Sequence, residues 1–168
     1  ELNSTASLSG VDLTNIVVTG SGNFNMNSNP ILGSSETRAT FNSPNATGNI
    51  SLLTSSDVSS IANIITGSGE DLIKLNGVTS DVNGFVINTN GGQDTVLVTA
   101  SGDGSSAKIN FTGGDGSDEL KLDPGVDVSA SNLTLSGIEK ITLVGGGVSQ
   151  KMAASDLSGK SFELAEDG

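Results

Sequence analysis

The sequence predicts an all-β chain, a right-handed parallel β-solenoid (β-helix or β-roll) of about six coils of roughly 23 residues each. Three observations lead there. Ser, Thr, Asn and Gly are abundant among the 168 residues, Gly alone numbering 23, and short β-branched runs stand between Gly-rich stretches, as in many short strands joined by tight turns. A glycine recurs at Gly22, Gly48, Gly69, Gly92 and Gly116, at spacings of 26, 21, 23 and 24 residues, and a regular interval of that order marks stacked repeats. Apolar residues also keep fixed offsets from that glycine, which stacking would turn into inward-facing ladders.

Taken in order, the units place Met26, Leu52, Ile73, Val96 and Leu120 four residues after the anchor glycine. Seven residues before it stand Phe41, Phe85 and Ile109, and five before it Val17, Ile64, Ile87 and Phe111. Side chains on a strand alternate faces, so these positions share the inner face. Helix signals are confined to Gln150 to Leu157. The chain reads as one solenoid domain, 1–168, excised from a longer protein. Within it, 1–60 form metal-free coils, 61–125 cation-binding coils, and 126–168 a terminal coil and cap.

Composition removes most catalytic chemistry. The chain has no Cys, His, Trp or Tyr, so thiol and imidazole catalysis, Cys/His zinc sites and disulfides are excluded, and any metal must be held by oxygen. With 7 Lys+Arg against 19 Asp+Glu the net charge is −12. That disfavours nucleic acid, which needs basic patches and stacking aromatics, and anionic membrane surfaces. No apolar run approaches the about 20 residues of a membrane span.

The position two residues after the anchor carries the chemistry. It reads Phe24, Ile50, Asp71, Asp94, Asp118, apolar in two units and carboxylate in the next three. Stacked at about 4.8 Å, two carboxylates repel by about 0.9 kcal/mol even in water, and desolvation adds several kcal/mol per ion. No Lys or Arg is expected in the column, and Asp103, Asp123, Asp127 and Glu139 are expected to be solvated. Three remedies are open: protonation, hydrogen bonds from turn amides, or a cation. Oxygen-only ligation suits Ca²⁺.

At these residues Gly113-Gly114-Asp115-Gly116-Ser117-Asp118-Glu119-Leu120-Lys121 resembles the G-G-x-G-x-D-x-U-x nonapeptide of RTX calcium-binding repeats. Gly67-Ser-Gly69-Glu-Asp71-Leu-Ile73 keeps all but the first Gly, and Asn90-Gly-Gly92-Gln-Asp94-Thr-Val96 keeps Gly92, Asp94 and Val96. The resemblance implies Ca²⁺ shared between coils by Asp71, Asp94 and Asp118, with turn backbone from Gly67, Gly69, Asn90, Gly92, Gly114, Asp115 and Gly116. The opposite turns (Gly77, Gly102 to Gly104, Asp123-Pro124-Gly125) do not repeat the motif, so metal is expected along one edge only.

A second resemblance lies in Leu8-Ser-Gly-Val-Asp-Leu-Thr-Asn-Ile-Val-Val-Thr-Gly20 and Leu135-Ser-Gly-Ile-Glu-Lys-Ile-Thr-Leu-Val-Gly145. Both are similar to the L-x-G-I-E-x-I-x-L-x-G coils of bacterial surface-layer (S-layer) proteins exported by type I secretion. It implies an extracellular structural protein whose assembly depends on Ca²⁺. Its partners would be further copies of itself, other domains of the same protein, and cell-surface polysaccharide bound through regions outside this chain. A calcium-stabilised spacer of a secreted adhesin or toxin is the alternative. A β-helix polysaccharide lyase or hydrolase is disfavoured, because aromatic platforms are missing and the single Arg, Arg38, lies outside the acid column.

Overall fold

Short β-branched runs punctuated by glycine cannot close a helix, and they alternate apolar and polar residues, so each run hydrogen-bonds to its equivalent one repeat away. A computed structural model describes residues 14–26, 38–54, 61–78, 84–100, 105–106, 108–123, 126–127, 133–145 and 158–165. The chain winds between two main sheets. One has six strands: β1 (Asn15–Ile16), β3 (Ala39–Asn42), β5 (Ile61–Ile65), β7 (Phe85–Asn88), β11 (Ile109–Thr112) and β15 (Leu133–Ser136), neighbours in that order. The other has seven: β2 (Phe24–Met26), β4 (Ile50–Thr54), β6 (Leu72–Val78), β9 (Thr95–Ala100), β13 (Glu119–Leu122), β16 (Lys140–Val144) and β17 (Ser161–Ala165).

Every pairing is parallel, and each strand pairs with its equivalent in the next coil. This is a parallel β-solenoid, and no helix occurs among the described residues. The candidate helix over Gln150 to Leu157 lies outside them. β3 pairs with β5 across the boundary at 60/61, with one register shift between Ala39 and Thr40, and β11 pairs with β15 across 125/126, so the stack continues through both. Two short ladders bridge the turns, β8 (Gly91–Gly92) with β12 (Asp115–Gly116) and β10 (Ser105–Ser106) with β14 (Val126–Asp127).

The core lies between the two sheets. Phe41, Ile64, Ile87 and Phe111 form one buried row and Leu52, Ile73, Val96, Leu120 and Ile141 the facing one. All five residues four places after the anchor are buried, Met26 included. Val17 breaks the expectation, being 58% exposed. Ile16 pairs with Phe41, so strand alternation turns Ile16 and Val18 toward the core and Val17 outward. The inward strand residue precedes the anchor by six residues at Ile16, seven at Phe41 and five at Ile64, so the offset of five from Gly22 falls on the outward Val17, and Phe41 joins the row of Ile64 rather than that of Phe85. Phe24 and Phe41 meet at 5.9 Å between ring centroids, and Arg38 lies over the Phe85 ring at 5.4 Å.

The anchor glycines from Gly48 to Gly116 stand where successive backbones approach closely. A Cβ on Gly48 or Gly69 would lie 2.5 Å from the carbonyl oxygen of the anchor glycine before it. At Gly92 and Gly116 the clash with the preceding carbonyl is more severe, and φ is positive, at 130° and 142°. Here the repeat in the sequence is a steric requirement of the stack.

Candidate functional site: a buried carboxylate column

The strand registers Ser51↔Leu72, Leu72↔Thr95, Thr95↔Glu119, Glu119↔Lys140 and Lys140↔Ser161 place the preceding residues in one column. That column is Ile50, Asp71, Asp94, Asp118, Glu139, Lys160. Asp71, Asp94 and Asp118 are all buried, as their parity with the core predicts.

Each carboxylate is held in the same way. Asp71 Oδ1 accepts the Ile50 N–H at 2.7 Å, Asp94 Oδ1 the Asp71 N–H at 2.7 Å, and Asp118 Oδ1 the Asp94 N–H at 3.0 Å. The column thus hydrogen-bonds along the solenoid axis, each side chain reaching back one coil. The second oxygen is different: Oδ2 of Asp71, Asp94 and Asp118 is buried without a hydrogen-bond partner. An unsatisfied buried carboxylate oxygen is costly, so each Oδ2 calls for a proton or a cation.

Burial pushes all three carboxyls above the usual range, Asp94 up to about 7. The opposing pulls are smaller. The Asp71 amide and the Thr89 hydroxyl favour the charged form of Asp94, while the charges of Asp71 and Asp118 add to its rise. At Asp71 the Thr66 hydroxyl and the Ile50 amide oppose desolvation. At Asp118 the Asp94 amide opposes it and Glu139 reinforces it.

One sequence expectation is corrected at the lower end of the column. Glu139 is exposed, as expected, and its Oε2 accepts the Asp118 N–H at 2.9 Å. The column also holds a cation, Lys160, whose Nζ donates to the Ile138 carbonyl at 2.9 Å. Gly137, 21 residues after Gly116, stands two before Glu139 and four before Ile141, so the glycine count extends to Glu139, whereas Ser158 holds the corresponding place before Lys160. Only the strand register reveals Lys160.

Sequence reasoning also missed Thr66 and Thr89, five residues before their aspartates and buried. Thr89 Oγ1 stands 3.1 Å from the Gly113 carbonyl and Thr66 Oγ1 3.4 Å from the Thr89 carbonyl, and the single proton of each hydroxyl serves either that carbonyl or its own aspartate. In the next coil the equivalent residue is Gly113, where a Cβ would collide with Asp118 Oδ2. The recurring signal was Thr at a fixed offset from Asp. We expect Thr89→Val, which keeps the shape and removes the hydroxyl, to cost about 1–2 kcal/mol in urea unfolding of the metal-free protein. A change within error would show that the Thr89 hydroxyl contributes nothing to the loop.

A parallel ladder runs one residue outside the acids. Asn23 Oδ1 accepts the Asn49 N–H at 2.9 Å, and Asn49 Oδ1 accepts the Glu70 N–H at 3.1 Å. The remaining sequence-predicted residues form the adjoining turns. Gly67 and Gly69 are buried, Gly92 is half-buried, and Asn90, Gly114, Asp115 and Gly116 are exposed. Asn90 takes φ of 60°, a conformation Asn tolerates, and its Nδ2 bonds the Thr66 carbonyl. The Gly67 carbonyl accepts Gly91 N–H at 3.2 Å and the Asn90 carbonyl accepts Asp115 N–H at 2.9 Å. The opposite turns at Gly102 to Gly104 and Pro124-Gly125 lie outside the described residues.

Among the described residues no three Asp or Glu side chains converge as a ready-made metal cluster. What they present instead is one buried, partnerless Oδ2 per coil, from Asp71, Asp94 and Asp118. No family model, no curated protein and no solved structure matches the chain.

Proposed function

We propose that the chain is a structural, calcium-binding module of a bacterial cell-surface S-layer protein, in which Ca²⁺ orders the coils and supports lattice assembly. The observation that carries this reading is the column of three buried aspartates, each with one oxygen lacking a partner. Asp71, Asp94 and Asp118 would hold the ion through those oxygens. The ion would supply positive charge that neutralises the stacked carboxylates, so its binding free energy becomes stability of the coils. The likeness of residues 113–121 to the RTX nonapeptide supports the choice of Ca²⁺ and of a type I secreted, extracellular protein.

A non-catalytic role is supported by the orientation of the acids. They face the interior of the solenoid, away from any polymer substrate, and Arg38 is engaged with Phe85 and the Ile61 carbonyl. A metal-free reading rests on one observation of its own: every Oδ1 already accepts an amide. In that case protonation satisfies Oδ2 and the column is purely a fold element.

Calorimetric titration with CaCl₂, with melts in calcium and in chelator, separates the two. Saturable binding of about one to three ions per chain, with a calcium-raised melting temperature that Asp94→Asn diminishes, is the expected result. No heat and an unchanged melt would leave the metal-free reading. On the calcium reading, chelator should also accelerate amide exchange between Asp71 and Leu122 more than around Phe24 and Ile50. Electron microscopy of the full-length protein in calcium then tells ordered sheets, the array, from isolated rods, the adhesin or toxin spacer.

A further inference from the structure

The two main sheets differ in what they show to solvent. On the six-stranded sheet the registers align two outward rows. One is Asn15, Thr40, Asn63, Val86, Asn110, Thr134, and the other is Val17, Asn42, Ile65, Asn88, Thr112, Ser136. None of these twelve residues is charged, and the charged residues nearest them on this face, Arg38 and Lys108, stand just before β3 and β11, at one end of the strands. The seven-stranded sheet carries Lys74, Glu119, Lys121, Lys140 and Glu163 on its outer face, with Glu119 at 3.3 Å from Lys121 and 3.2 Å from Lys140. Of the three large apolar side chains most open to solvent, two, Val17 and Val86, stand on the uncharged face.

We propose that this uncharged face of the six-stranded sheet is a contact surface for a second copy of the same chain. The partner follows from charge. Two chains of net charge −12 repel wherever their acids approach, and they repel least where neither presents a charge. A two-fold axis would bring the same rows together, so the surface must be self-complementary. Short Asn and Thr side chains interleaved with Val and Ile, on a regular sheet without long flexible groups, can pack against their own copy at the spacing of stacked sheets. Aromatic platforms for sugar rings are missing here, which favours protein over polysaccharide.

The size of the face sets the strength. Six strands span about 24 Å and four residues along each about 14 Å, well below the about 800 Å² per partner of a stable complex. One such contact is weak, and an array that repeats it multiplies the effect. The proposal rests on the array reading for its biological setting, but calcium binding and self-association are measured separately.

The test is sedimentation equilibrium of the calcium-saturated chain up to about 1 mM, the range that suits a small interface. Wild type is compared with Val86→Lys, Asn110→Lys and Leu72→Lys. Val86 and Leu72 are both 45% exposed, on opposite sheets, so they are a matched pair. Each Lys lowers the net negative charge and would by itself ease non-specific repulsion. Concentration-dependent dimers in wild type and Leu72→Lys, weakened about tenfold or more in Val86→Lys and Asn110→Lys, are the expected outcome. A wild type that stays monomeric throughout, or equal weakening by Leu72→Lys, overturns the proposal. In either event a calcium-raised melt would still stand, and thermal melts of each variant exclude misfolding as the cause.

Discussion

Replacing Gly116 by alanine should cost about 3 kcal/mol or more, while the same change at Gly22 should lie within about 0.5–1 kcal/mol of wild type. Both glycines belong to the anchor column. At Gly116 a Cβ would enter the carbonyl oxygen of Gly92 in the preceding coil, and the residue holds φ of 142°. Relief requires two coils to separate, which strains the β8–β12 ladder and lengthens the amide bond from Asp94 to Asp118. At Gly22 nothing lies within 4 Å of the same hypothetical atom and φ is not positive. Alanine there also loses less chain entropy on folding than glycine. Urea unfolding followed by far-ultraviolet circular dichroism measures both. Equal effects at the two sites would show that close backbone approach is not what the repeat glycines provide.

The second large effect concerns pH in the absence of metal. Burial raises the folded-state pKa of Asp94 from an ordinary 3.8 to about 7, and those of Asp71 and Asp118 in the same direction. Below the unfolded-state value the group is protonated in both states, and stability does not depend on it. Between about 4 and about 7 the folded chain keeps a proton that the unfolded chain has released. Stability then falls as pH rises, by about 1.4 kcal/mol per unit for one group. Over that window the loss from Asp94 is on the order of a few kcal/mol, and above about 7 its contribution levels off. In chelator, the chain should therefore be more stable near pH 4 than near pH 7. Calcium should flatten the profile, because the cation binds the ionised carboxylate and competes with the proton. Chemical unfolding across pH 4–8, with and without calcium, tests this. Metal-free stability that rises over the same range would mean that the amide bonds to Oδ1 outweigh desolvation and the column is ionised when folded.

The glycine interval and the apolar columns in the sequence determined the parallel solenoid and the inward direction of Asp71, Asp94 and Asp118. They could do so because a repeating backbone turns fixed offsets into fixed directions: period 2 within a strand sets the face, and the close approach of coils admits only glycine at the anchors from Gly48 to Gly116. The same offsets failed at Val17, because six residues rather than five separate the inward strand position from the anchor glycine and the register Ile16↔Phe41 overrides the count.

What only the tertiary structure decided is how the charges are held. No sequence rule stated that each Oδ1 would reach back to the amide one coil earlier, leaving Oδ2 alone. Nor did one show that Thr66 and Thr89 would lie against their own aspartates, or that Lys160 would end the column. The hydrogen bonds between coils join residues 21 to 24 positions apart, so they exist only once the register of the coils is set. That register comes from the summed packing of two sheets, to which the polar residues themselves contribute little.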